Sequence, residues 1–286
     1  MGGESRMMSG RVCMVTGANS GIGRATAEKL AGLGATVVMV CRNKKRGEAA
    51  LVQIRKKSGS SAIELFLADF ASLSSVRELA RSYLETHGSL HVLLNNAGVA
   101  ELTRSVTVDG FETTFQVDYL SQFLLTNLFL DLLKKSAPSR IVGVSSASHY
   151  GGRLDLDDLQ TEKGYGVMKA YSRAKLAQIL FTHELADRLQ GTGVTANCLH
   201  PGAVSTNIWG RPLGPLSFLA KVTRVFLASP EQGAETPVYL ASSDAVEGVS
   251  GKYFERKREK RSSVDSYDRV LARRLWDDSA AMVGLA

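Results

Sequence analysis

Short apolar runs alternate with longer amphipathic stretches from residue 12 onward. The run Val12–Thr16 predicts a strand buried on both faces, because it is nearly all apolar and ends at a turn-forming glycine. A glycine-rich turn follows, then a helical period over 24–33. Residues 36–40 are mostly β-branched and predict a second strand. The series continues with a helix over 43–57, a strand over 63–67, a helix over 73–84 and a strand over 91–94. A long helix is expected over 111–135, with Phe115, Leu120, Phe123, Leu124 and Leu128 covering one side. A fifth strand over 140–144, a second long helix over 170–189, and strands over 194–199 and 251–254 complete the pattern.

Strict alternation of strands and helices implies right-handed βαβ units and a parallel sheet covered on both faces. The expected fold class is α/β: a doubly wound Rossmann fold with a seven-stranded parallel sheet in a three-layer α/β/α arrangement. No linker or low-complexity break interrupts the chain, so residues 1–286 are expected to form one domain. An insertion at about 207–229 breaks the rhythm. Its apolar part, 209–228, contains Pro212 and Pro215. Long insertions after strands are where ligand lids sit, so a hydrophobic lid is the preferred reading. A packing helix and a peripheral membrane contact are the alternatives.

Composition narrows the partners. The chain is 44% hydrophobic and 22% charged, the balance of an ordinary globular protein. Lys and Arg outnumber Asp and Glu by 35 to 28, for a net charge of +7. The clearest basic cluster, 252–261, also holds Glu255 and Glu259 and reads as a solvated segment. No nucleic-acid-binding signature accompanies it, so nucleic acid is not an expected partner. Cys13, Cys41 and Cys198 form no metal-ligand pattern and read as buried thiols, so no metal is expected. The polar start and the lack of any apolar stretch of about 20 residues give the expectation of a cytoplasmic protein without a transmembrane segment.

The first strand runs directly into Thr16-Gly17-Ala18-Asn19-Ser20-Gly21-Ile22-Gly23. Glycines at such a turn let backbone approach a pyrophosphate, and the following helix start offers free N–H groups and a positive dipole end. This glycine pattern, Asn95-Asn96-Ala97-Gly98 after the fourth strand, and Tyr171-Ser172-Arg173-Ala174-Lys175 occur in that order. Together they resemble the short-chain dehydrogenase/reductase family over nearly the whole chain. Lys175-Leu176-Ala177, Leu189-Gln190-Gly191-Thr192-Gly193 and the ending Leu275-Trp276-Asp277-Asp278-Ser279 are similar to its retinol-dehydrogenase-like branch.

The resemblance implies an oxidoreductase with a nicotinamide dinucleotide held by Gly17, Asn19, Ser20, Gly21, Ile22 and Gly23. It places Asp69, with Phe70, at the adenine. Asn96, with Ala97, falls beside the adenosine ribose, and Gly98 leaves room for the cofactor. Pro201, Gly202, Val204 and Thr206 match the segment that fixes the nicotinamide carboxamide, which makes a structural role the reading for His200. Family members commonly form homo-oligomers through the long helices. Cofactor choice also follows from charge: an NAD site usually has a carboxylate after strand two, whereas here Cys41 is followed by Arg42. Arg42, with Arg24 nearby, suits the 2′-phosphate of NADP(H).

Tyr171 and Lys175 are four residues apart, which puts both on one helix face. A tyrosine works as an acid/base near neutrality only if its pKa falls by roughly 3 units, or about 4 kcal/mol. A neighbouring Lys175 cation and the oxidised nicotinamide supply that pull. By resemblance Lys175 also binds the nicotinamide ribose, and a strand-end serine binds the substrate oxygen: Ser146, with Ser145 the alternative. Tyr165 also precedes a lysine by four, but Gly164 and Gly166 flank it and do not suit a helix.

The chain departs from the family where Val117-Asp118 stands in place of Val-Asn. An ionised Asp118 would favour charged Lys175 and offset part of its pull on Tyr171. The expected activity is interconversion of a hydrophobic aldehyde or ketone and its alcohol with NADP(H). A non-catalytic dinucleotide sensor or scaffold is the alternative.

Overall fold

The β-branched runs do form the centre of a sheet, because their alternate side chains are buried on its two faces. A computed structural model of the chain describes residues 7–203 and 228–285. The strands are β1 (Val12–Thr16), β2 (Thr36–Cys41), β3 (Ile63–Leu67), β4 (Val92–Asn95), β5 (Ser139–Val144), β6 (Val194–His200), β7 (Lys252–Glu255) and β8 (Arg258–Glu259). They lie in the order β3-β2-β1-β4-β5-β6-β7-β8, parallel from β3 through β7. The order reverses between β1 and β4, which opens a crevice at their carboxyl ends where dinucleotides bind in such sheets.

One face of the sheet, with Cys13, Val15, Val37, Met39 and Leu94, packs against α1 (Gly21–Gly32), α2 (Lys44–Ser58) and α8 (Glu235–Ser242), which α7 (Pro230–Gly233) precedes. The other, with Met14, Val38, Val40, Leu93 and Ile141, packs against α3 (Leu73–Thr86), α5 (Ser121–Lys135), α6 (Val167–Arg188) and α9 (Arg269–Met282). This is the three-layer α/β/α arrangement expected from the alternation.

Four local features differ from the expectation. The sheet has eight strands, not seven: β8 pairs antiparallel to β7 across a turn in which Arg256 and Lys257 have φ of 51° and 62°. Such turns usually announce themselves with Asn or Gly, and an Arg-Lys pair gave no such signal. Helix α1 begins at Gly21, three residues before the apolar period becomes visible. The long helix is interrupted: α4 (Thr113–Phe115), capped by the Glu112 carboxylate, leads through a π turn (Gln116–Leu120) into α5. Helix α9 follows a charged, weakly patterned stretch, yet its Trp276 packs on Phe123 and Phe181, with ring centres 5.0 and 5.6 Å away. The insertion at 207–229 lies, up to residue 227, outside the described residues, as do Val204 and Thr206. No helix among the described residues is long and apolar enough to cross a membrane.

Candidate active site

The turn after β1 is shaped for close backbone approach. Gly17 and Gly21 have φ of 67° and 54°, which L side chains rarely adopt. A Cβ on Gly23 would lie 2.5 Å from Gly17 O and as near to Asn96 Nδ2. Ser20 starts α1 without capping it through its side chain, so the first N–H groups, from Gly21, Ile22 and Gly23, stay free at the positive end of a twelve-residue helix. Asn19 lies half-buried in the turn itself. This cradle fits a pyrophosphate.

Thr16, which the motif reading passed over, ties the turn to the next loop. Its hydroxyl donates to Leu94 O (3.3 Å) and accepts from the N–H groups of Asn96 (2.9 Å) and Ala97 (3.0 Å). Asn96 Nδ2 donates back to Thr16 O (2.7 Å). The only signal in the chain for this was the position of Thr16 at a strand end.

At the far end of the crevice Arg42 is exposed just after β2, with Nη1 3.9 Å from Asp69 Oδ1. Arg24 Nη1 donates to Gln53 Oε1 (2.7 Å). Asp69 Oδ1 also accepts from Ala71 N–H (3.0 Å), and the carbonyl of buried Phe70 accepts from the Ser121 hydroxyl (2.6 Å). No carboxylate stands at the end of β2, where buried Cys41 lies instead.

The expected proton-transfer residues come together beside β5. Lys175 is buried, and its Nζ donates to Val144 O (3.1 Å) and faces Asp118 Oδ2 at 3.0 Å. It also lies 5.4 Å from the centre of the Tyr171 ring. Asp118 sits, buried, on the π turn, a helix irregularity frequent at functional sites. Its Oδ1 accepts from Val99 N–H (2.7 Å), and a Cβ on Gly98 would lie 3.0 Å from Oδ2.

The two serines at the end of β5 differ. Ser145 is buried with its hydroxyl donating to Lys175 O (2.9 Å), whereas Ser146 is half-buried and caps a 3-10 turn by accepting from Ser148 N–H (3.2 Å). Tyr165 precedes α6 and donates to Glu101 O (2.7 Å), and Lys169 turns to Lys163 O (2.6 Å). His200 Nδ1 accepts from Ala147 N–H (3.2 Å), and Gly202 follows β6 after Pro201 with φ of 93°.

Electrostatics runs against a simple reading of Tyr171 and Lys175. Burial pushes the Tyr171 phenol above its ordinary value, and Lys175 and Ser146 pull it down while Asp118 pushes it up. From the protein's own groups the net direction is upward, whereas the expected depression draws on the oxidised nicotinamide as well as Lys175. Asp118 is itself raised, because its burial outweighs the pull of Lys175 and Val99 N–H. Lys175 ends above its ordinary value, since Asp118 and Tyr171 together outweigh the effect of burial. Asp118 thus absorbs part of the positive field that Lys175 would otherwise lend to the phenolate.

A groove of ≈ 570 Å³ opens next to these residues along the chain. Ala147 and Ser148 line it after Ser146, and Ser172 after Tyr171, with Met168 and Arg153 opposite in character. Buried Arg173, donating to Arg153 O (3.3 Å) and Thr161 Oγ1 (3.0 Å) and paired with Asp158, anchors the loop that forms its wall.

Comparison with known proteins agrees with this geometry. The family model described as short chain dehydrogenase matches residues 11–212. The chain is similar to a curated human protein, retinol dehydrogenase 14, with 47% identity covering 99% of this chain and 89% of the relative. Among solved structures it resembles a putative uncharacterized protein from Mycobacterium paratuberculosis, with 33% identity, a TM-score of 0.79 and coverage of 96% and 94% of the two chains. It also resembles a putative NAD(P) dependent gluconate 5-dehydrogenase from Beutenbergia cavernae with bound NADP, with 28% identity, a TM-score of 0.70 and coverage of 89% and 97%.

Proposed function

The chain belongs to the short chain dehydrogenase family, where it is retinol-dehydrogenase-like, and from that premise we propose that it is an NADP(H)-dependent enzyme interconverting a hydrophobic aldehyde or ketone and its alcohol. Family membership makes it an oxidoreductase using a nicotinamide dinucleotide. The observation that carries the finer reading is the buried Lys175 against the Tyr171 ring on α6, with the Ser146 hydroxyl beside Tyr171.

The dinucleotide would lie with its pyrophosphate on the free N–H groups of Gly21, Ile22 and Gly23, and with Asn96, Ala97 and Gly98 along its adenosine ribose. Arg42, with no carboxylate competing at the end of β2, favours a 2′-phosphate and hence NADP(H) over NAD(H). The NADP named in the Beutenbergia structure supports the same choice. When bound, the cofactor supplies or takes up the hydride.

The protein's own work is orientation and one proton. In reduction, the Ser146 and Tyr171 hydroxyls hold the carbonyl oxygen, and Tyr171 delivers its proton there as charge builds on that oxygen. Lys175, fixed by Val144 O and Asp118, stabilises the phenolate left behind. In oxidation, Tyr171 takes the alcohol proton. The similarity to retinol dehydrogenase 14 supports a retinoid-like or other lipid-derived substrate.

Asp118, a buried carboxylate against Lys175, favours a second reading, a dinucleotide-binding sensor or scaffold without turnover. Calorimetric titration with NADPH and NADH, on wild type and Arg42→Ala, followed by a turnover screen with long-chain aldehydes, separates them. Preferential NADPH binding that weakens about tenfold or more in the variant is expected, since a charged hydrogen bond is worth about 1.5–3 kcal/mol. Equal binding of the two cofactors overturns the NADP assignment, and binding without turnover of any carbonyl favours the sensor.

A further inference from the structure

Between the central strands, α5 and α6 lies a cavity of ≈ 10 Å³ open to the centre of a water molecule, walled by Asn95, Gln122, Gln178 and Thr182 with Tyr119 and Phe181. That is about the room one water needs, provided it meets two or more polar partners. Two of these residues carry buried oxygens, Asn95 Oδ1 and Gln178 Oε1, that have no hydrogen-bond partner among the described residues. Orphaned acceptors are rare in native interiors. Two of them around a cavity of this size mark a place for a shared donor.

The same side chains form a directed chain. Gln178 Nε2 donates to Gln122 Oε1 (2.6 Å), and Gln122 Nε2 donates to Ala97 O (2.6 Å). Ala97 stands between Asn96 and Gly98 on the loop assigned above to the adenosine ribose. Gln178 stands on α6, three residues after Lys175. Asn95, at the foot of that loop, donates from Nδ2 to Thr126 Oγ1 (2.9 Å).

We infer that one buried water, donating to both Asn95 Oδ1 and Gln178 Oε1, closes this chain into a ring, and that Gln178 and Gln122 are positioning residues that hold the cofactor loop in register with the catalytic helix. Each glutamine must accept at one end and donate at the other, which among uncharged side chains an amide does and a thioether of similar length does not. The water fixes which way the Gln178 amide points, so that its N–H₂ meets Gln122, whose own N–H₂ is then turned toward Ala97 O. The loop carbonyl is thereby gripped from the helix that carries Tyr171 and Lys175.

The positioning half rests on the cofactor reading proposed above; the water half stands on the geometry alone. NADPH titration of the full chain tests the first, with Gln178→Met, Gln122→Met and the double variant, each checked for folding by its melting curve. Each single variant is expected to bind about fivefold more weakly, and the double variant about the same, because the chain is broken at either link. Wild-type affinity in folded single variants overturns the positioning role and leaves the cofactor reading standing. Additive losses in the double variant overturn it too, since they mean two independent effects. If wild type itself binds neither NADPH nor NADH, the cofactor reading fails and the positioning role fails with it.

A high-resolution crystal structure of wild type tests the second half without any variant. Density for one water within hydrogen-bond distance of both Asn95 Oδ1 and Gln178 Oε1 is expected. A dry cavity, or a Gln178 amide turned away from Gln122, overturns the ring.

Discussion

Replacing Asp118 by asparagine removes one buried negative charge and keeps the oxygen that accepts from Val99 N–H. The path of the effect on Tyr171 has two legs: Lys175 Nζ is 5.4 Å from the ring centre and 3.0 Å from Asp118 Oδ2. A unit charge one ion pair away from the ring, buried from solvent screening, is close enough for the phenol to feel it. The sign is fixed by the charge. Asp118 holds the Tyr171 pKa up, so its removal brings that pKa down.

In alcohol oxidation the phenolate is the working form, and the rate rises with pH through the Tyr171 pKa. The acid limb of kcat/KM against pH, measured with saturating NADP⁺ at constant ionic strength, should move to lower pH in Asp118→Asn. Carbonyl reduction needs the phenol, so its alkaline limb should move down by the same amount. A profile that stays in place would mean that Asp118 is already neutral in the working enzyme. A shift toward alkaline pH would show the reasoning to have the wrong sign.

Other perturbations bear on separate parts of the site. Tyr171→Phe should lose about 10²–10⁴-fold in kcat while NADPH affinity by calorimetry stays near wild type, because it removes a proton donor and little else. Gly23→Ala forces a Cβ to within 2.5 Å of Gly17 O, so the turn must open. NADPH binding should weaken about tenfold or more and stability drop by about 1–3 kcal/mol in urea titration; unchanged values in both would mean the cradle is not as tight as described. Trp276→Ala removes a ring stacked on Phe181 and edge-on to Phe123, with the Arg188 guanidinium 4.2 Å from its centre. A loss of about 2–3 kcal/mol is expected. Urea titration checks this, and an unchanged midpoint would mean that the ring cluster does not hold α9 in place.

The parts of this fold that a single chain reading could reach were those fixed by local pattern. The strands β1, β2 and β4 declare themselves by nearly continuous burial. The glycine turn declares itself because a φ of 67° at Gly17, with Ala97 Cα 3.1 Å from where a Cβ would stand, favours glycine strongly. The choice of Tyr171 over Tyr165 was also local, since Gly164 and Gly166 bar the helix on which Tyr165 would have to sit, and α6 indeed starts at Val167. What stayed hidden depends on partners distant in sequence. Thr16 meets Asn96 across 80 residues, Gln122 meets Gln178 across 56, and Tyr119 meets Ser279 across 160, and none of these side chains has a periodicity that betrays the pairing. Asp118 lies between the two cases. Its identity gave the sign of its effect on Tyr171 from sequence alone. Its contact with Lys175 at 3.0 Å needed the fold, because the π turn and α6 meet only in the tertiary structure. A carboxylate at this position therefore matters to the phenol through a buried ion pair that no local pattern announces.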